Sequence, residues 1–389
     1  MRKTLLVLIA VMLVASLVLV SCGKAPESAT PAEPDASDQA DDSEPAPTPE
    51  PEAEGGDTPY IAIVSKGFQH QFWQTVAMGS EDAAKEYDVE ITFDGPPSES
   101  DISVQIDQIN AVLAKNPAAL ALAALDTESV TTQLLDAKEK GIPVIGFDSG
   151  VPDAPEGTIV STASTDNEEG GALAANEIFK LDHIKEAIEN ATAANPVVLG
   201  IISQDATSAS VVGRTVGFLN KAKELAEAIH PGAVAITGHD KYKEDSANDM
   251  VVELNILVPA TTNITDAQTT AQAMLEKKGL ISLFLSNELA VGGVLAATSD
   301  GQDLNKDNGK YKDITVVGFD AGKNQKVAVR NGWFYGSVTQ DPYMIGYKAV
   351  ELAVKAINGE PVDEIVDTGC QFYTADNMDD ASIAPLLYD

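Results

Sequence analysis

The chain has 389 residues, 60 acidic against 25 basic, for a formal net charge of −35 and a pI near 4.2. Such an excess of negative charge argues against a nucleic-acid partner and against electrostatic adhesion to anionic lipid. Only two cysteines occur, Cys22 and Cys370, so the fold has to be held by its apolar core.

The chain opens on Met1-Arg2-Lys3-Thr4, an apolar run from Leu5 to Val20, and Ser21-Cys22. A basic region, an apolar region and small residues at a cleavage point read as a secretory signal over 1–21, with an uncleaved membrane-spanning anchor as the alternative. Leu19-Val20-Ser21-Cys22 resembles the lipobox of bacterial lipoproteins, which implies that Cys22 is acylated and becomes the new N-terminus. More than one acyl chain on that cysteine gives stable attachment, so the expected location is outside the cytoplasmic membrane, anchored to it by lipid. Residues 24–58 are Pro, Ala, Glu, Asp, Ser and Thr with hardly a larger apolar side chain. They cannot bury enough surface to offset their ordering entropy, and 22–58 is expected to be a lipidated cysteine followed by a disordered acidic tether.

From Tyr60, short β-branched runs alternate with amphipathic segments. Strands are expected at 60–64, 89–93, 119–122 and 143–147, and Ile102, Ile106, Ile109 and Leu113 recur at helical spacing between them. The pattern restarts at 197–202 and continues through 233–236, 280–284 and 314–319. Alternating strands and helices mean βαβ units and parallel sheets, and two successive sets mean two similar α/β lobes. The stretch 238–265 is less regular; 239–249 reads as a charged surface loop, and 251–259 has no assignment.

In open parallel sheets the ligand crevice lies beyond the carboxyl ends of the strands. The residues there are Lys66, Gln69, His70, Phe72 and Trp73 after the first strand, Asp148 and Ser149 after the fourth, then Arg214, Asn287, Asp320 and Gln340 in the second set. An aromatic pair, two carboxylates, a guanidinium and two amides form a sugar-like set of partners: rings cover the apolar C–H faces, while the polar groups satisfy hydroxyls that both donate and accept. Each has a plainer use. Phe72 and Trp73 open an amphipathic helix and could be core, Asp148 and Asp320 could be caps, Arg214 could pair with a surface carboxylate, and His70 has no second histidine at metal-ligand spacing.

Tyr60 to Trp73 with Gly79 and Ala83-Ala84, Gly141 to Asp148, Thr165-Asp166-Asn167 with Gly170-Gly171, Arg214 to Phe218, and Val317-Gly318-Phe319-Asp320 together resemble the ribose/galactose-type periplasmic binding proteins. The likeness runs from about residue 60 to 360. It implies a two-lobed type I fold with three hinge crossovers: 59–165 and 341–370 in the N-terminal lobe, 166–340 and 371–389 in the C-terminal lobe. It implies service to a sugar ABC importer, so that the partners are a monosaccharide and the transmembrane permease subunits. Carried over by motif, it puts Phe72 and Trp73 on the sugar faces and Asp148, Arg214, Asn287, Asp320 and Gln340 on the hydroxyls. This chain departs from the family at Lys66, where a small hydroxyl residue is common, and at Gln69 and His70, where asparagines are frequent. Ala123 stands where ribose binders carry a polar residue.

An enzyme would need a nucleophile with its base or a metal set, and no Gly-x-Ser-x-Gly, zinc or Walker-type motif is present; neither catalysis, metal nor cofactor is expected. Nucleosides, autoinducers and other polar small molecules are the alternative ligands, and reporting to a receptor kinase is the alternative output. A sugar-responsive repressor would begin with a DNA-binding headpiece where this chain has a signal and tether.

Overall fold

The computed structural model describes residues 58–388; the signal, Cys22 and nearly all of the tether lie outside the described residues. The first lobe runs β1 (Tyr60–Val64), α1 (Gln71–Glu86), β2 (Glu90–Asp94), α2 (Ile102–Leu113), β3 (Ala119–Leu122), α3 (Thr131–Glu139), β4 (Val144–Phe147) and β5 (Ser161–Ser164). The second runs α4 (Asn167–Lys180), α5 (Asp182–Glu189), β6 (Val197–Ile202), α6 (Ala209–Glu227), β7 (Val234–Thr237), β8 (Val252–Leu257), α7 (Ile264–Leu275), β9 (Leu280–Leu285), α8 (Glu288–Ala297), β10 (Thr315–Phe319), α9 (Lys323–Arg330) and β11 (Gly336–Gln340). The chain then returns to the first lobe as α10 (Pro342–Ile357) and β12 (Ile365–Asp367), and crosses again as β13 (Cys370–Tyr373).

Among the described residues the first sheet has the order β12-β5-β4-β3-β1-β2 and is parallel throughout; the second has the order β13-β11-β10-β9-β6-β8-β7, with only β13 antiparallel. The architecture is α/β in two lobes, as the alternating pattern requires. In both sheets the order of strand addition reverses next to the first strand, between β1 and β3 and between β6 and β9. Those reversals open the crevices at the strand ends.

Strands covered on both faces are apolar at nearly every position. Ile61 and Ile63 pack under α1 and α10, while Ala62 and Val64 face α2 and α3 with Ile109 and Leu113. Only part of the isoleucine stripe is buried: Ile102 and Ile106 are half-exposed, and Gln105 takes a core position instead. The reason is that Gln105 satisfies three backbone groups, donating to the Ser65 and Ala123 carbonyls (2.9 Å each) and accepting from Leu125 N–H (2.9 Å). It thereby ties together the loops that follow β1 and β3.

The unassigned stretch 251–259 forms β8, a neighbour of β6. Glu253 and Asn255 interrupt its apolar run and hide the strand, yet both find partners: Asn255 Nδ2 donates to Thr237 Oγ1 (2.7 Å), though its Oδ1 has none, and Lys277 Nζ lies 3.2 Å from Glu253. β5 and β11 escape notice for the same reason. Ser161 Oγ donates to the Asp363 carbonyl (2.7 Å), and Thr339 Oγ1 to that of Leu386 (2.9 Å).

One helix pair in each lobe closes without side chains between the backbones. A Cβ on Gly79 would overlap the Tyr343 carbonyl and one on Gly346 that of Val76, locking α1 to α10; Gly171 and Gly217 do the same for α4 and α6 against Arg214 and Glu168. The three lobe crossings lie side by side after β5, after β11 and at 368–369, where Thr368 N–H donates to the Ser164 carbonyl and Thr165 Oγ1 to that of Gly369. Cys370 pairs with Gln340 across the second sheet, and its thiol is pushed up to about 11 by burial, with nearby carboxylates adding to the effect.

Candidate functional site

β4 and β10 end alike, on Gly146-Phe147-Asp148 and Gly318-Phe319-Asp320. Both aspartates occupy the left-handed region, with φ of 53° and 80°, where a side chain costs energy and is kept by its surroundings. Their N–H groups donate to the Ala163 and Val338 carbonyls of the adjacent strands (3.0 and 2.7 Å), which fixes the turn and aims each carboxylate into the cleft.

Asp148 is followed by a strand and Asp320 does not cap α9, whose N-cap is Gly322. Asp148 Oδ2 lies 3.0 Å from Lys66 Nζ, an ion pair off hydrogen-bond geometry, while Lys66 Nζ donates to Ser210 Oγ in the other lobe (2.9 Å). Burial works against charge on Lys66, but the Asp148, Glu99 and Asp205 carboxylates outweigh it and raise its pKa. Asp320 accepts from Gln340 Nε2 (2.7 Å) and from the Glu288 N–H (3.1 Å) at the start of α8. Burial pushes the Asp320 carboxyl up, and Arg214, Gln340 and the Glu288 N–H counter that only in part.

Arg214 is buried rather than on the surface. Its Nε donates to Asn167 Oδ1 (2.8 Å), its Nη1 donates to the Ser286 carbonyl (3.1 Å) and stands 3.7 Å from Asp320, and its guanidinium lies 3.9 Å from the centre of the Phe319 ring. Stacking and a planar fork are what arginine offers and lysine does not.

Phe72 and Trp73 serve both core and cleft. Their rings meet edge to face at 5.0 Å, and Trp73 leans on Phe147 at 6.3 Å. The indole Nε1 donates to Glu99 Oε1 (2.8 Å), and Gln204 of the second lobe donates to Glu99 Oε2 (2.9 Å). Glu99 therefore links the lobes. Its burial raises the carboxyl, but Lys66, His70 and the two donors bring it below the ordinary range.

Lys66, His70, Phe72, Trp73, Asp148, Arg214, Asn287, Asp320 and Gln340 line one interior cavity of about 30 Å³. Asn287 also caps α8, accepting from Ala290 N–H (3.2 Å) and donating to Gln204 Oε1. Two of the expected residues stand elsewhere: Gln69 is exposed on an outer groove of about 470 Å³, and Ser149 faces the other lobe, accepting from Ser210 N–H (3.2 Å). Glu99, Glu288 and Val211 complete the wall and were not expected. Strand-end position is the one signal for the two acids, Glu99 beyond β2 and Glu288 directly after Asn287. Ala123 is fully buried at the end of β3. Among the described residues no cluster of His, Cys, Asp or Glu could hold a metal ion, and no helix is long and apolar enough to cross a membrane.

Three buried oxygens of the wall, Gln340 Oε1, Glu288 Oε2 and Asp148 Oδ2, have no hydrogen-bond partner in the protein, and of these only Asp148 Oδ2 faces a cation, Lys66 at 3.0 Å. Buried polar groups are rarely left so, and all three belong to residues of the one cavity. A space of about 30 Å³ holds about two waters, so a sugar ring needs the lobes farther apart or Lys66 withdrawn.

The periplasmic binding protein domain matches residues 61–361. The ribose import binding protein of Bacillus subtilis is 22% identical over 314 residues, 81% of this chain and 87% of that protein. A solved structure from Brachyspira murdochii, named as an ABC transporter, LacI family transcriptional regulator, is 40% identical, with a TM-score of 0.71 over 85% of this chain and 99% of that one. A carbohydrate transporter solute binding protein from Agrobacterium radiobacter, in complex with D-arabinose, is 25% identical with a TM-score of 0.68 over 85% and 99% of the two chains. With two parallel α/β sheets, three crossings and a cleft lined from both lobes, the chain belongs to the periplasmic binding protein family and has its type I fold.

Proposed function

We propose that this chain is the solute-binding lipoprotein of an ABC importer, capturing a small sugar between its lobes and delivering it to a membrane permease. The observation that carries the reading is the cavity wall: aromatic, carboxylate, guanidinium and amide groups from both lobes converge on one space, with buried oxygens left unbonded. Sugar binding in the relatives supports it, ribose by name in the Bacillus subtilis protein and D-arabinose in the Agrobacterium radiobacter complex.

In this reading Phe72 and Trp73 cover a ring face, while Asp148, Arg214, Asn287, Asp320 and Gln340 engage hydroxyls. Opening about the crossings near Thr165, Gln340 and Gly369 admits the ligand, and closing restores the Lys66–Ser210 and Glu99–Gln204 bonds between lobes. Acylated Cys22 holds the protein at the membrane, with 22–58 as its tether.

Calorimetry and thermal shift of the purified full-length chain against pentoses and hexoses test the reading, and saturable binding of at least one sugar is expected. Stability and heat signals that no sugar moves would remove it. Labelled palmitate on the wild type but not on Cys22→Ser is the expected result for the anchor; equal incorporation by both defeats that part alone.

A further inference from the structure

The charges of the cavity wall do not balance. Lys66 and Arg214 supply two permanent cations, with His70 the one other basic side chain of the wall, against the carboxylates of Asp148, Asp320, Glu99 and Glu288. Asp148 is paired with Lys66 at 3.0 Å and Asp320 stands 3.7 Å from Arg214, so both cations are engaged. Glu99 receives hydrogen bonds from Trp73 and Gln204. Glu288 is the group left over: its Oε2 is buried and accepts no hydrogen bond. Glu288, Glu99 and His70 line both the inner cavity and the outer groove and therefore form the neck between them.

Two features keep Glu288 where it is. It is the first residue of α8, whose exposed N–H groups favour negative charge, and its N–H is fixed by Asp320. A carboxylate half-buried beside two others is costly unless a cation meets it. Burial, with Asp320 and Glu99 adding to it, pushes the Glu288 carboxyl up, which only His70 counters. Gln340, 1% exposed, lines the same cavity, and its Oε1 is buried without a hydrogen-bond partner, a second polar group there left for a ligand to meet.

We infer that the ligand is a sugar bearing a protonated amine, held in the cavity by its hydroxyls with the ammonium at the neck against Glu288 and Glu99. The inference rests on the sugar-binding reading above and names the class of sugar. An ammonium there supplies the missing positive charge and donates to Glu288 Oε2, a charge-assisted bond that a neutral hydroxyl does not equal.

The test is calorimetry on the full-length chain with D-glucosamine, D-galactosamine and D-mannosamine, each beside its neutral parent hexose and its N-acetyl derivative. At least one amine should bind at least about tenfold tighter than its parent, N-acetylation should abolish that advantage, and Glu288→Gln should cut the amine-to-parent ratio roughly tenfold. Neutral parents that bind as tightly as every amine, or a ratio that Glu288→Gln leaves intact, overturn the inference while sugar binding stands. Failure of every sugar, amine or neutral, overturns both.

Discussion

Lys66 Nζ and Asp148 Oδ2 stand 3.0 Å apart with side chains 5% and 2% exposed, and the same ammonium reaches Ser210 in the other lobe. Lys66→Met leaves the Asp148 carboxylate buried without its cation, and the loss of stability should be about 3–5 kcal/mol. The double variant Lys66→Met, Asp148→Leu should recover much of it. Urea denaturation at neutral pH measures both; a double variant as unstable as the single one would contradict the pairing.

The same pair fixes the sign of an alkaline effect. The Lys66 pKa is raised above the ordinary 10.5, so its contribution to stability is fully present below 10.5 and is lost as pH rises through the higher folded value. Melting curves of the wild type and Lys66→Met should therefore converge as pH climbs past 10.5 and separate below it.

Trp73 reports on the cleft because Trp333, the only other tryptophan, lies outside the cavity wall. Saturating ligand should change tryptophan fluorescence in the wild type and in Trp333→Phe alike. Trp73→Phe keeps an aromatic against Phe72 and Phe147 but gives up the indole bond to Glu99. Affinity should fall by roughly 1.5–3 kcal/mol, the value of a hydrogen bond to a charged group, with a smaller fall in unfolding stability. Unchanged affinity with a collapsed melting temperature would make Trp73 purely core.

Glu99 should act as a latch between lobes. Glu99→Gln should speed ligand release roughly tenfold or more, as expected for losing a charge-assisted bond, and small-angle scattering should show less compaction on ligand addition. The Glu99 carboxyl is held below the ordinary 4.5, so the stability it provides is present above 4.5 and lost as pH falls through the folded value. The variant should lack that part of the acid-induced loss; identical acid profiles would exclude the latch.

Gly171→Ala should damage the site from a distance. The added methyl meets the Arg214 carbonyl where α4 and α6 touch, and forcing the helices apart should cost about 1–3 kcal/mol. Because Arg214 rides on α6, ligand affinity should fall along with stability. Gly141→Ala, at a position with φ of 71° and open space around it, should reduce stability through its backbone and leave affinity near wild type.

Apolar runs and their spacing were enough to declare two α/β lobes and to name the strands that carry the cleft, because strands buried on both faces must be apolar throughout. β5, β8 and β11 stayed hidden, since serine, threonine, glutamate and asparagine occupy positions that a linear reading takes for loop; partners distant in the chain bond them, as Asp363 does Ser161 and Thr237 the Asn255 amide N–H. Strand-end position alone brought nine expected side chains to one cavity, but it could not separate Gln69 and Ser149 from them, because one residue's shift along a loop turns a side chain away from the cleft. Sequence left open whether an aspartate was a cap or a cleft group, and it is the turn after each strand, with φ of 53° and 80° and strand-to-strand bonds, that sets Asp148 and Asp320 in the cavity wall. Glu99 and Glu288 were invisible in a chain with 60 acidic residues, because composition predicts such side chains to be solvated. Only the closing of two lobes over them turned ordinary surface acids into half-buried, unbalanced charge, and that energy depends on distances and burial that no linear pattern contains.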